Sequence, residues 1–302
     1  MKTFIDCLAI FLFTVCLVHA GEAGAFQDRY IKVDNVKIRY WQLGDKGSAV
    51  VLIHGLGASA DIWKSNVEAL AKNHRVFVPD LPGFGLSEKP DVTYNAEYLT
   101  SFIHGFLSVL HLEKVSLVGM SLGGGLSLWY TLQHPEQVER LILVDSAGLG
   151  KEFSWFLRLL SVPGLGELLL LYPNRFGTRI FLKHCIYNNP CLTDELADLY
   201  TNYMSMPGAG RAFLRTIRSA AGVMGTDMKR ADQLMSNLEK IQIPVLIVWG
   251  REDRILPYRQ GEFAKKHMPN AALHIFEHCG HIANMEKAVE FNKLAVDFLS
   301  RG

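Results

Sequence analysis

Neither sign of charge dominates this 302-residue sequence: 31 Lys and Arg stand against 30 Asp and Glu, and no long run of one sign occurs. The electrostatic footprint of a nucleic-acid binder is therefore missing, and no nucleic-acid partner is expected. Cysteine is scarce, at five residues, and there is no CxxC pair or HExxH stretch. A dedicated metal site is accordingly not expected. No internal repeat is evident. What the chain does have is 49% hydrophobic residues, enough to bury a large core as one domain with an insertion or as two.

The first 25 residues stand apart. Lys2 is followed by an uncharged apolar run from Cys7 to Val18 and by small residues at Ala20, Gly21, Ala23, Gly24 and Ala25. That is the grammar of a signal peptide, with cleavage expected near Ala20 and an exported product. The run is short against the roughly 20 residues of a spanning helix; an uncleaved membrane anchor is the alternative. Export would leave Cys185, Cys191 and Cys279 in the mature chain. Cys185 and Cys191 bracket the turn-rich IYNNP, so a local disulfide is one expectation and two small buried apolar residues the other.

From Gln27 a regular rhythm begins. YIKVDNVKIRYWQLG alternates and turns at Asp34 and Asn35, as an antiparallel hairpin does. AVVLIHG and HRVFVPDLPG read as short buried strands, with helical spacing of Ile62, Trp63, Val67, Leu70 and Ala71 between them. Strands at Val115–Val118 and Arg140–Val144 flank a helix after Ser121. The pattern returns with PVLIVWG, a helix near Arg259–Met268, ALHIFE and a closing helix at Ala288–Leu299. This alternation predicts an α/β fold, a mostly parallel sheet with helices on both faces. Residues 26–146 and 240–302 form that core. Between them, residues 147–239 are helix-like, broken by Pro163, Gly164, Pro173, Pro207 and Gly208, and lack clear strands. An insertion at the carboxyl edge of such a sheet lies where α/β ligands bind.

Gly119, Ser121 and Gly123 form GxSxG on a predicted strand-to-helix junction, the context that suits an exposed nucleophile on a strained turn. A serine hydroxyl needs a base, and the base needs an orienting acid. Downstream, VLIVWGREDRILP places Asp253 past one buried strand and LHIFEHCGHIANME places His281 past the next, in the chain order the fold expects. The competing base is His278, the competing acid Asp145; Glu252 reads as a solvated neighbour. Two amides, of Leu122 after the serine and of Leu56 in HGLGAS, are the expected oxyanion donors. His54 and Asp80 read as organisers of their loops.

HGLG, DLPGFGLS, GMSLGG, GREDRILP and CGH followed by Glu286 together resemble the block pattern of the α/β-hydrolase superfamily across nearly the whole mature chain. The resemblance implies a sheet of about eight strands, a helical cap over Ser121 and serine hydrolase chemistry without a cofactor. Related dehalogenases and epoxide hydrolases have an aspartate where Ser121 stands, which disfavours those activities. The insertion is rich in Phe153, Trp155, Phe156, Leu157, Leu159, Leu160 and Leu168–Leu171. Beyond its core-packing share, it would line an acyl pocket or touch a lipid surface. The expected substrate is a lipophilic carboxylic ester, monoacylglycerol-like. The alternatives are a carbon–carbon bond hydrolase of ring-cleavage products, whose members often have Asn at the position of Met120 and Trp at that of Ile282, and a ligand-binding receptor on a hydrolase scaffold.

Overall fold

The structure, a computed structural model, describes residues 26–222, 225, 226 and 228–301. The expected signal segment, residues 1–25, lies outside them. Strands β1 (Arg29–Val33) and β2 (Val36–Leu43) form the hairpin, and both turn residues take left-handed backbone, Asp34 at φ 48° and Asn35 at φ 66°. Asp and Asn tolerate that region well, and it matches the twist of a two-residue hairpin loop. β3 (Ala49–Ile53) follows, then α1 (Val67–Ala71) and β4 (Arg75–Pro79). The helical spacing before β4 is split: Ala60–Trp63 is a 3₁₀ turn, separated from α1 by Asn66. Asn66 is buried, and its side-chain amide donates to the Asn284 carbonyl at 2.9 Å. That distant partner fixes the break.

Next come α2 (Ala96–Val109), β5 (Val115–Met120), α3 (Leu122–Gln133) and β6 (Val138–Val144). The insertion supplies α4 (Trp155–Ser161), α5 (Leu165–Leu169), α6 (Arg175–Cys185), α7 (Asp194–Met204) and α8 (Ala209–Ala220). It also holds a two-residue antiparallel pair, β7 (Ala221–Gly222) and β8 (Gly225–Thr226), and α9 (Met228–Met235). The strandless expectation for this segment is thereby corrected; strands of two residues are too short for period-two alternation to show. The core closes with β9 (Val245–Gly250), α10 (Arg259–His267), β10 (Ala271–Phe276), α11 (Ala283–Glu286) and α12 (Ala288–Leu299).

Eight strands make one sheet in the order β1-β2-β4-β3-β5-β6-β9-β10, antiparallel at β1/β2 and β2/β4 and parallel elsewhere. β3, β5 and β9 are buried along their whole length, as a parallel sheet covered on both faces requires. The order of strand addition reverses between β3 and β5. Ligands in open α/β sheets bind outside the carboxyl ends at such a switch point, and the loop after β3 and Ser121 after β5 both lie there. Among the described residues no helix is long and apolar enough to cross a membrane.

Candidate active site

Ser121 ends β5 with φ 52° and ψ −118°, strained backbone for a residue with a Cβ. The turn is held from both sides: the Ser121 N–H donates to the Val144 carbonyl at 2.9 Å, and its own carbonyl accepts from Gly125 at 3.1 Å and Ala147 at 3.0 Å. Gly123 is required by close approach, since a Cβ there would lie 2.2 Å from the Ile53 carbonyl oxygen. The turn so braced holds the serine hydroxyl out at the sheet edge.

The His281 ring meets it. His281 Nε2 lies 2.9 Å from Ser121 Oγ, and Nδ1 lies 2.8 Å from Asp253 Oδ2. A single tautomer satisfies both contacts: Nδ1–H donates to the carboxylate, and Nε2 accepts from the hydroxyl. Asp253 is itself fixed by donors. Its Oδ1 accepts from the amides of Ile255 at 2.7 Å and Leu256 at 2.9 Å, and its Oδ2 from Trp249 Nε1 at 3.1 Å. Burial alone would lower the His281 pKa, but the Asp253 carboxylate, through its charge and its hydrogen bond, outweighs burial with help from Asp145 and Glu286, so that it stands above the ordinary imidazole value.

The competing residues do not enter this relay. The His278 side chain is 78% exposed, lies 3.9 Å from Glu252 and stacks on the Tyr187 ring. Asp145 is fully buried but makes no hydrogen bond to His281; its oxygens accept the Gly250 amide at 2.8 Å and the Ala283 amide at 2.9 Å. Burial, and then the neighbouring Asp253 charge, push its carboxyl well above the usual carboxylate range. His54 bonds the Gly55 carbonyl and accepts from the Leu81 amide, and burial pushes it down to about 4. Asp80 accepts the amides of Ala60 and Leu86 beside Arg39, organising its turn. Glu252 accepts the Cys279 amide at 2.9 Å, so it braces the histidine loop and is not a mere solvated neighbour.

Leu56 lines the cavity at Ser121, and Leu122 opens α3 directly behind it. Among the described residues neither backbone N–H has an acceptor, which leaves both available to an oxyanion.

Three cysteines are free thiols, so the expected local bridge is not formed. Cys185 ends α6 facing the reaction cavity, while Cys191 sits half-buried beyond the next turn. The Cys185 carbonyl instead accepts the His281 N–H at 2.6 Å.

In the sequence Glu286 stands out only as one letter of a block. Its carboxylate accepts three amides: Tyr187 at 2.9 Å and Asn188 at 2.7 Å from the insertion, and Gly280 at 2.9 Å from the histidine loop. The helical insertion is thus fastened to the segment that carries His281. No local signal could have named these partners, which lie 99 and 98 residues away.

Around Ser121 and His281 is a small cavity of about 40 Å³ walled by Met120, Phe181, Leu182, Tyr200 and Ile282. Phe181 and Tyr200 also wall a second cavity, of about 250 Å³, among α4–α8. A third, of about 90 Å³, shares Leu56, Ser121, Leu157 and Ile255 with the first. Among the described residues no Lys or Arg lines any of the three, and no cluster of His, Cys, Asp and Glu could hold a metal ion.

The sequence matches the alpha/beta hydrolase family over residues 50–294. It is 30% identical over 258 residues to a 2-hydroxy-6-oxo-2,4-heptadienoate hydrolase of Pseudomonas putida, covering 84% of this chain and 90% of that one. Among solved structures, a meta-cleavage product hydrolase from Pseudomonas fluorescens IP01 matches with TM-score 0.76 and 29% identity over 89% of this chain and 96% of its own. A lipase described as putative, from Acinetobacter baumannii, matches with TM-score 0.80 and 26% identity over 91% of each. The strand order, the strained serine after β5 and the match over most of the length agree: the chain is a hydrolase belonging to the alpha/beta hydrolase family.

Proposed function

We propose that this enzyme hydrolyses lipophilic carboxylic esters, with Ser121 as nucleophile, His281 as general base and Asp253 as its orienting acid. Ser121 Oγ attacks the ester carbonyl as its proton passes to His281 Nε2. The amides of Leu56 and Leu122 receive the charge on the carbonyl oxygen. His281 then returns the proton to the leaving alcohol, and water repeats the sequence on the acyl-enzyme. Each oxyanion donor is worth ~3 kcal/mol in the transition state. Asp253 stays ionised throughout and stabilises the imidazolium.

The observation that carries the substrate class is the lining. Ser121 lines two mainly apolar recesses with no Lys or Arg in their walls. One continues through Phe181 and Tyr200 to the larger cavity, and the other holds Glu152 as its one charged wall residue among those described. The pair suits an uncharged acyl chain on one side and an uncharged leaving group on the other. A second reading, carbon–carbon bond hydrolysis, is favoured by the similarity to the heptadienoate and meta-cleavage product hydrolases. A dienoate carries a carboxylate, and burying one without a partner cation is costly. Met120 and Ile282, where that group often has Asn and Trp, both wall the reaction cavity. A receptor role leaves the assembled Ser121–His281–Asp253 relay without use. Export, read from residues 1–25, belongs to this proposal and is checked by sequencing the mature amino terminus.

Turnover of p-nitrophenyl esters of rising chain length, set beside a 2-hydroxy-6-oxo-dienoate, decides between the readings. Ester turnover rising with chain length is expected. Efficient dienoate cleavage with negligible esterase activity would overturn the ester assignment.

A further inference from the structure

Large hydrophobic residues on the surface of this protein are not scattered. Of thirteen exposed ones among the described residues, eight fall between residues 155 and 180, in α4–α6 and their connections. They include Trp155, Leu168, Leu171, Tyr172 and Phe176, exposed by 59–78%. Single exposed hydrophobics need no explanation, but a grouped set marks an interaction surface. The group also surrounds an opening: Leu159, Leu169, Tyr172 and Ile180 are exposed and at the same time line the 250 Å³ cavity that shares Phe181 and Tyr200 with the site of Ser121.

The charge on the helices of this face is mostly of one sign. Within α4–α6, Arg158, Arg175, Arg179 and Lys183 stand against Glu167 alone, and Glu167 is held by Arg218 from α8. Arg175 and Arg179 pair with Asp194 and Asp198 at the α7 seam, whereas Arg158 lies over the Phe153 ring and has no carboxylate partner among the described residues. A second copy docked on the same face by a two-fold axis would set cation against cation and seal the cavity mouth. An anionic lipid surface does neither, since basic residues flanking an apolar face are what such an interface attracts.

We propose that the exposed apolar face of α4–α6 seats the enzyme on an anionic bilayer, so that the cavity opens at the lipid interface and a substrate chain passes from it towards Ser121. The proposal rests on the ester reading, because only a lipophilic substrate gives that route a use.

Trp155 is a built-in reporter: Trp41, Trp63 and Trp249 are buried and Trp129 is half-buried. The full chain is mixed with phosphatidylcholine/phosphatidylglycerol vesicles whose acyl chains are brominated. Fluorescence is expected to be quenched in the parent protein and left unquenched in Trp155→Phe. A combined Leu168→Glu, Leu171→Glu, Phe176→Glu variant should lose about tenfold in turnover of a vesicle-borne ester. Its hydrolysis of a water-soluble short-chain ester should stay within about twofold, which also shows that it folds. Absence of quenching, or equal vesicle activity in the parent and the combined variant, overturns docking. So does vesicle-independent self-association that this variant abolishes, which would make the face a contact between copies. No soluble-ester turnover in the parent strikes the ester reading instead, and the quenching result still stands on its own.

Discussion

Asp145 accepts the Gly250 amide at 2.8 Å, and so the end of β6 holds the start of the turn that presents Asp253. Its other oxygen takes the amide of Ala283, two residues beyond His281. One buried carboxyl therefore spans the segments of both the acid and the base through backbone amides, with no hydrogen bond to either side chain among the described residues.

That arrangement ranks two substitutions. Asp253→Asn removes the acceptor of His281 Nδ1–H and should cost on the order of 10⁴ in turnover. Asp145→Asn keeps one acceptor oxygen but turns an NH₂ towards a backbone donor, and should cost about a hundredfold less than that. Steady-state kinetics of both variants check the ranking; the reverse order would make Asp145 the acid.

Ser121→Ala should lower turnover by several orders of magnitude and leave the fold intact. Intact-mass measurement after fluorophosphonate treatment should show one adduct on the parent protein and none on the variant. Near-normal esterase activity without the hydroxyl would sink the mechanism.

Catalysis needs neutral His281, and its pKa is raised, principally by Asp253 against the opposing effect of burial. The base form is therefore lost as pH falls, and the acidic limb of kcat/KM should have its midpoint above the ordinary imidazole value of about 6.5. In Asp253→Asn the favourable charge is gone, so the residual activity should show that limb at lower pH. A limb that does not move would separate His281 from the titration.

Glu286→Ala strands the buried Gly280 amide and two amides, of Tyr187 and Asn188, that water can reach. A buried donor left without an acceptor costs about 1–3 kcal/mol, and chemical denaturation should show a loss of that order. The insertion should also loosen, with KM for long-chain esters rising more than kcat falls. An unchanged unfolding midpoint would mean that other acceptors replace the carboxylate.

Leu170, half-buried in the wall of the larger cavity, gives a steric test. Leu170→Trp should reduce the ratio of long-chain to short-chain kcat/KM by about tenfold, as expected when ~1.4 kcal/mol of chain binding is lost. An unaltered ratio would place the chain elsewhere.

Much of this was legible in the sequence because it is local. The Asp34–Asn35 turn, the buried strands and the serine junction each declare themselves within a few residues, and the order Ser121, Asp253, His281 follows from strand ends. Illegible were the roles that depend on distant main-chain donors. Asp145 read only as a rival acid because its partners, Gly250 and Ala283, lie 105 and 138 residues on. Cys185 and Cys191 were open to a bridge by spacing alone, but the thiol at the end of α6 faces the reaction cavity. The β7/β8 pair is set by two backbone pairings, Ala221 with Thr226 and Gly222 with Gly225, which no side-chain pattern announces.

Glu286 grips Tyr187 and Asn188 by their main-chain amides alone, so side-chain identity at those two positions is no part of the grip. The constraint falls on the other side, at Gly280, where a Cβ would stand 2.4 Å from the Cys185 carbonyl oxygen. The junction thus works as a socket that asks for a backbone shape and not for a sequence. Side chains at 187 and 188 are therefore free to vary without unseating His281, whereas the rest of the insertion is fastened to the core by side chains, Tyr203 on Asp61 and Arg215 on Asp91.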